Sequence, residues 1–162
     1  MAGTRKTPEA PLDASGLRFA IVVAEFNAAI TERLLEGAVE CFAKNGVPEG
    51  SVEVRRVPGA FELPLAARLL AATKSYDAIV ALGCVIRGDT PHFDYVSQAA
   101  THGLLRVSLD SGIPVAFGVL TTDDLAQAEA RAGGEHGNKG FDSAQTAVEM
   151  ALFVSGSGSM KG

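Results

Sequence analysis

No tryptophan occurs in the chain, and other aromatics are sparse: eight Phe and two Tyr in 162 residues. Cysteine is nearly as scarce. Cys41 and Cys84 are too few for a disulfide scaffold, so a reducing compartment fits best. No window approaches the ~18 apolar residues of a membrane span, and no membrane contact is expected. Positive charge is in deficit, with 14 Lys+Arg against 19 Asp+Glu and a net charge of −5. A binder of phosphate backbones needs clustered Lys and Arg, so nucleic acid is not expected as a partner. Residues 1–16 lack the apolar segment of a signal peptide, and a cytoplasmic protein is expected. Catalytic signatures are missing as well. There is no G-x-G-x-x-G, no G-x-x-x-x-G-K-S/T and no G-x-S-x-G. His92, His102, His136 and the two cysteines lack metal-ligand spacing, so no metal site is expected.

What is present is apolar. Hydrophobic residues make up 47% of the chain, too many for disorder. The mean hydropathy of +0.19 is high for a small soluble domain and predicts surface buried between subunits. The length suits one domain. Residues 1–16 read as a flexible arm, 17–154 as a single α/β domain, and the Gly/Ser-rich 155–162 as a flexible tail.

Within the domain, apolar runs alternate with helical patterns. Strands are expected at 17–24, 51–57, 77–82 and 113–120. Helices are expected at 28–45, 61–73, 90–109, 122–132 and 139–154. This order predicts a four-stranded parallel sheet in a three-layer α/β/α sandwich, flavodoxin-like in outline. Ligands of such sheets sit at the carboxyl ends of the strands. A phospho-receiver domain shares the layout but needs an aspartate after strand three, where this chain has Gly83-Cys84.

The loops after the strands hold the candidates. Gly83-Cys84-Val85-Ile86-Arg87-Gly88-Asp89-Thr90-Pro91-His92 leaves strand three and enters a helix. Thr90 suits an N-cap and Pro91 the first helical position, giving free N–H groups for an anion. His92, in the first turn beside that anion, could move protons near neutral pH. A plain capped helix with a surface histidine is the alternative. Phe26 could stack on a planar ligand or simply fill the core, and Phe117 has the same two readings; Phe61 could pack on a flat heterocycle, or its segment be only a helix start. Glu62 sits at a helix start, a favourable place for an acid. Arg131, before a Gly-rich stretch, suits bidentate phosphate binding. Cys84 reads as a small apolar filler more readily than as a nucleophile.

Taken together, these segments resemble the 6,7-dimethyl-8-ribityllumazine synthases of riboflavin biosynthesis. The matching pieces are Phe26-Asn27, Pro58 to Pro64, Gly83 to Val96, Phe117 to Thr121, and Arg131 with Gly137 to Gly140. The resemblance implies condensation of 5-amino-6-(D-ribitylamino)uracil with 3,4-dihydroxy-2-butanone 4-phosphate, without a cofactor. It implies His92 as proton donor and acceptor. Phe26 would stack on the pyrimidine, and Ala60, Phe61 and Glu62 would hold the ribityl chain. Cys84, Val85 and Ile86 would contact the heterocycle through backbone, and Asp89 and Thr90 would lie by the phosphate. Phe117 and Arg131 would complete the pocket from a neighbouring subunit, with Lys139 supporting that corner. The resemblance further implies a homo-oligomer built on pentamers, in some members an icosahedral shell, and riboflavin synthase as a candidate protein partner. A non-catalytic flavin- or lumazine-binding paralogue is the alternative. The intact Asp89, Thr90, His92 and Arg131 set speaks against it, since a pure binder has no need of phosphate-handling groups.

Overall fold

Strand β1 (Phe19–Ala24) is FAIVVA, and all six residues are buried. A strand buried on both faces belongs at the centre of a parallel sheet. The computed structural model, which describes residues 3–156, puts it there. The sheet runs β2-β1-β3-β4, all parallel, with β2 at Val52–Val57, β3 at Ala78–Ile86 and β4 at Val115–Thr122. Edge strand β2 (VEVRRV) is half-exposed, as its charged side chains require.

Helices cover both faces. Helix α1 (Ala28–Lys44) and α5 (Lys139–Val154) pack together on one side, over Phe19, Ile21, Val80 and Leu82. Helices α2 (Leu63–Ala72) and α3 (His92–Ser111) cover the other, over Ala20, Val22, Ile79 and Ala81. Both layers show period-2 alternation from one strand set, the arrangement expected from the sequence. The three-layer α/β sandwich of flavodoxin-like strand order is therefore present.

Several boundaries differ from expectation, each for a local reason. Strand β3 runs to Ile86, four residues beyond Leu82, because β4 pairs with it along its whole end, up to Ile86 opposite Thr122. The expected helix 122–132 shrinks to α4 (Leu125–Arg131), capped by the Asp124 side chain accepting from Gln127 N–H at 2.8 Å. The Gly-rich stretch after it is ordered. It forms a small antiparallel hairpin of β5 (Ala132–Gly134) and β6 (Gly137–Asn138), whose Gly133 and Gly137 have positive φ.

The N-terminal arm is also less loose than its composition predicts. Ala14 is fully buried, and its N–H donates to the Asn45 carbonyl at 2.9 Å. Leu12 N–H donates to the Asn45 side-chain oxygen at 2.9 Å. Arg5 forms a fork with Glu149 on α5, at 2.7 Å for the shorter contact. Burial alone would raise the Glu149 pKa, but the Arg5 and Gln145 hydrogen bonds outweigh it and hold the carboxyl low. Met1, Ala2 and residues 157–162 lie outside the described residues, so most of the expected tail does too.

Candidate functional site

Three loops meet at the carboxyl edge of β1, β2 and β3. Glu25 N–H donates to the Val57 carbonyl at 2.8 Å, and Phe26 N–H to the Pro58 carbonyl at 2.9 Å. These bonds extend the β1–β2 ladder into its loops. Phe26 itself is 72% exposed, so its ring is not core filler. Asn27 follows in the left-handed conformation at φ 61, which Asn tolerates better than most side chains. Its Nδ2 donates to the Cys84 carbonyl at 2.8 Å, pinning the first loop to β3. The role of Asn27 escaped the sequence reading; an Asn between a strand end and a helix start is the signal that marks it.

A single 3-10 turn over Ala60–Glu62 leads into α2. Ala60 is buried against β3, whereas Phe61, 63% exposed, stands out beside it. Gly83 keeps this corner open. A Cβ there would stand 3.2 Å from Leu63 and 3.6 Å from Ala60. Beyond it, Cys84 is buried while Val85 and Ile86 are half-buried at the strand end. Burial pushes the Cys84 thiol up to about 11 and, at Cys41, up to about 12. Neither is a thiolate near neutral pH, which removes Cys84 as a nucleophile. Both thiols should resist a disulfide reagent at pH 8 in the native protein and react promptly once it is unfolded. A fast native phase would contradict their burial.

The helix start differs by one position from expectation. Pro91, not Thr90, occupies the N-cap, because the first turn closes from Asp94 N–H to the Pro91 carbonyl at 3.0 Å. Thr90 Oγ1 approaches His92 N–H only at 3.4 Å, too long for a strong cap. The site-facing consequence stands: Asp89, Thr90 and His92 are all exposed at the amino end of α3, beside the carboxyl edge.

Phe26, Ala60, Phe61, Glu62, Cys84, Val85, Ile86, Asp89, Thr90 and His92 thus gather at one edge of the sheet. Phe117 and Arg131 do not join them. Phe117 pairs with Ala81 in mid-sheet, five positions before β4 ends, and is 46% exposed on the outer edge. Arg131 ends α4, which packs through Ala128 into the α1/α5 layer, across the sheet from α3. Its Nη1 donates to the Gln127 carbonyl at 3.0 Å, and it makes no ion pair among the described residues.

A family model described as 6,7-dimethyl-8-ribityllumazine synthase matches residues 16–155. The chain belongs to that family. A lumazine synthase joins 5-amino-6-(D-ribitylamino)uracil to 3,4-dihydroxy-2-butanone 4-phosphate, forming 6,7-dimethyl-8-ribityllumazine in riboflavin biosynthesis. The match covers every element of the sheet and its helices but begins at the end of the arm. The carboxyl edge carries two exposed aromatics, Phe26 and Phe61, and the amino end of the 20-residue helix α3. Among the described residues, no group of three or more His, Cys, Asp or Glu is placed to hold a metal, and no helix is long and apolar enough to cross a membrane. A cavity lined by Ser108, Pro114, Ala116 and Met150 opens near the amino end of β4 and has no titratable lining.

Proposed function

We propose that the carboxyl-edge crevice is the catalytic site of this lumazine synthase and that two neighbouring subunits build it. Phe26 stacks on the pyrimidine. Ala60, Phe61 and Glu62 hold the ribityl chain, while the backbone of Cys84, Val85 and Ile86 meets the heterocycle. Asp89 and Thr90 lie by the phosphate, at the positive end of the α3 dipole. Phe117 and Arg131 come from the neighbour, with Lys139 at the same corner.

The chemistry needs positioning and proton traffic. The pyrimidine 5-amino nitrogen attacks the butanone carbonyl and water leaves, giving an imine. Loss of a proton next to the imine expels phosphate. The ribitylamino nitrogen then closes the ring, and a second water departs. Holding the two partners in line can supply ~7–11 kcal/mol in well-oriented systems. His92 carries the protons.

The observation that carries this reading is the separation of Phe117 and Arg131 from an otherwise assembled edge. A neighbouring copy restores them. Leu65 and Leu69 on α2, with Leu105 and Leu109 on α3, are exposed large apolar residues that would bury in such an assembly. We propose pentamers as the unit, with an icosahedral shell and an association with riboflavin synthase as the further steps. The cytoplasm is the proposed location, and residues 17–154 the catalytic unit. Sedimentation separates pentamer from shell.

The test is formation of lumazine followed by absorbance. His92→Ala is expected to lower kcat by about 10–10³-fold, less than full acid–base values because positioning carries much of the reaction. Arg131→Ala should mainly raise KM for the butanone phosphate, since it removes a charge-assisted contact. A wild-type kcat in the first variant, or an unchanged KM in the second, would remove that residue from its role.

A further inference from the structure

The turn that meets the phosphate has almost nothing of its own to hold it. Gly88, Asp89, Thr90 and Pro91 are exposed, and a Cβ at Gly88 would meet open space. The residue before the turn is anchored four ways. Arg87 N–H donates to the Thr122 carbonyl at 2.9 Å. Its Nε donates to Asp123 Oδ1 at 3.0 Å, and Nη1 stands 3.9 Å from Asp94 Oδ1. Its guanidinium carbon lies 4.4 Å from the Phe93 ring centroid.

We propose that Arg87 is a positioning residue for the phosphate-bearing substrate: clamped between Asp123 and Asp94 against the Phe93 ring, it fixes the 88–91 turn to the end of β4. Only Arg suits the place, because its planar fork reaches two carboxylates while its face lies on a ring. Two aspartates already offset its charge, so it orients the turn without itself binding the phosphate. Its loss would also leave Asp94 and Asp123 without the guanidinium that lies between them. The inference rests on the assignment of Asp89 and Thr90 to the phosphate.

Steady-state kinetics on the assembled enzyme test it. In Arg87→Gln, KM for the butanone phosphate should rise about tenfold, with KM for the pyrimidine changed less than about twofold. Its Tm should stay within about 3 °C of wild type, because exposed ion pairs add little stability. Asp123→Asn frees the same guanidinium and should raise the same KM, with the double variant no worse than Arg87→Gln alone. An additive double variant, or an unchanged butanone-phosphate KM in Arg87→Gln, overturns the role of Arg87. Thr90→Val separates the two readings. If it raises that KM while Arg87→Gln does not, the phosphate site stands and Arg87 has no part in it. If neither variant moves KM, the phosphate site itself is misplaced.

Discussion

Gly140→Ala should lower the unfolding free energy by about 3 kcal/mol or more, the upper end of what overpacking costs. Gly140 lies in the first turn of α5 where that helix crosses α1. A Cβ there would fall 1.9 Å from the Leu34 carbonyl oxygen and 2.6 Å from its carbon. Both are backbone atoms inside a helix, so no rotamer change relieves the overlap. The only escape is to part α1 from α5, which opens the layer holding Leu34, Ala38, Ala144 and Val148. Intrinsic propensity pulls the other way, because Ala is better than Gly in a helix by about 1 kcal/mol. The clash outweighs it. The same crossing depends on Asn138, whose Oδ1 caps α5 through Gly140 and Phe141 N–H while its Nδ2 donates to the Arg33 carbonyl at 2.9 Å. Gly37 leaves the room that this side chain fills. Denaturation in urea at one fixed protein concentration reads the effect, because assembly adds its own concentration-dependent stability. A midpoint equal to that of wild type would mean that the helices sit farther apart than described.

These contacts explain why some of the fold was legible in sequence and some was not. The runs Phe19–Ala24 and Ala78–Leu82 announce central parallel strands because apolar residues on both faces leave few other options. The end of β3 does not announce itself. Gly83-Cys84 looks like a loop, and only pairing with the last residues of β4 keeps it extended. The 132–138 hairpin is likewise hidden, since its glycines serve a turn whose register depends on α1 lying alongside. The docking of Leu12 and Ala14 rests on one distant residue, Asn45, whose side-chain oxygen accepts from Leu12 N–H and whose backbone carbonyl accepts from Ala14 N–H. At the candidate site, the loops after β1, β2 and β3 were legible as the carboxyl edge of the sheet, yet their local backbone was not. The offset at Pro91 and the pin from Asn27 to Cys84 follow from backbone geometry that a motif does not encode.

Mixing two crippled variants should produce an active enzyme. His92→Ala and Arg131→Ala are each expected to be impaired. If one site takes His92 from one subunit and Arg131 from the next, random reassembly of equal amounts restores both residues in about one site in four. Activity should then rise to about a quarter of wild type at substrate levels where both parents are weak. The geometry is the reason to expect it. His92 opens α3 on one face of the sheet, while α4 carries Arg131 away into the opposite layer. Seven helical residues span about 10 Å, so Arg131 lies far along from Asp123, the point where the β4 loop meets Arg87 before the 88–91 turn. Phe117 sits five positions, about 17 Å, before the end of its strand. Were both residues used within one chain, each mixed particle would hold only the two parental kinds of site. Its activity would equal the mean of the two variants, and the shared site would be wrong. Dissociation and reassembly of wild-type protein alone, run in parallel, sets the recovery against which the quarter is measured.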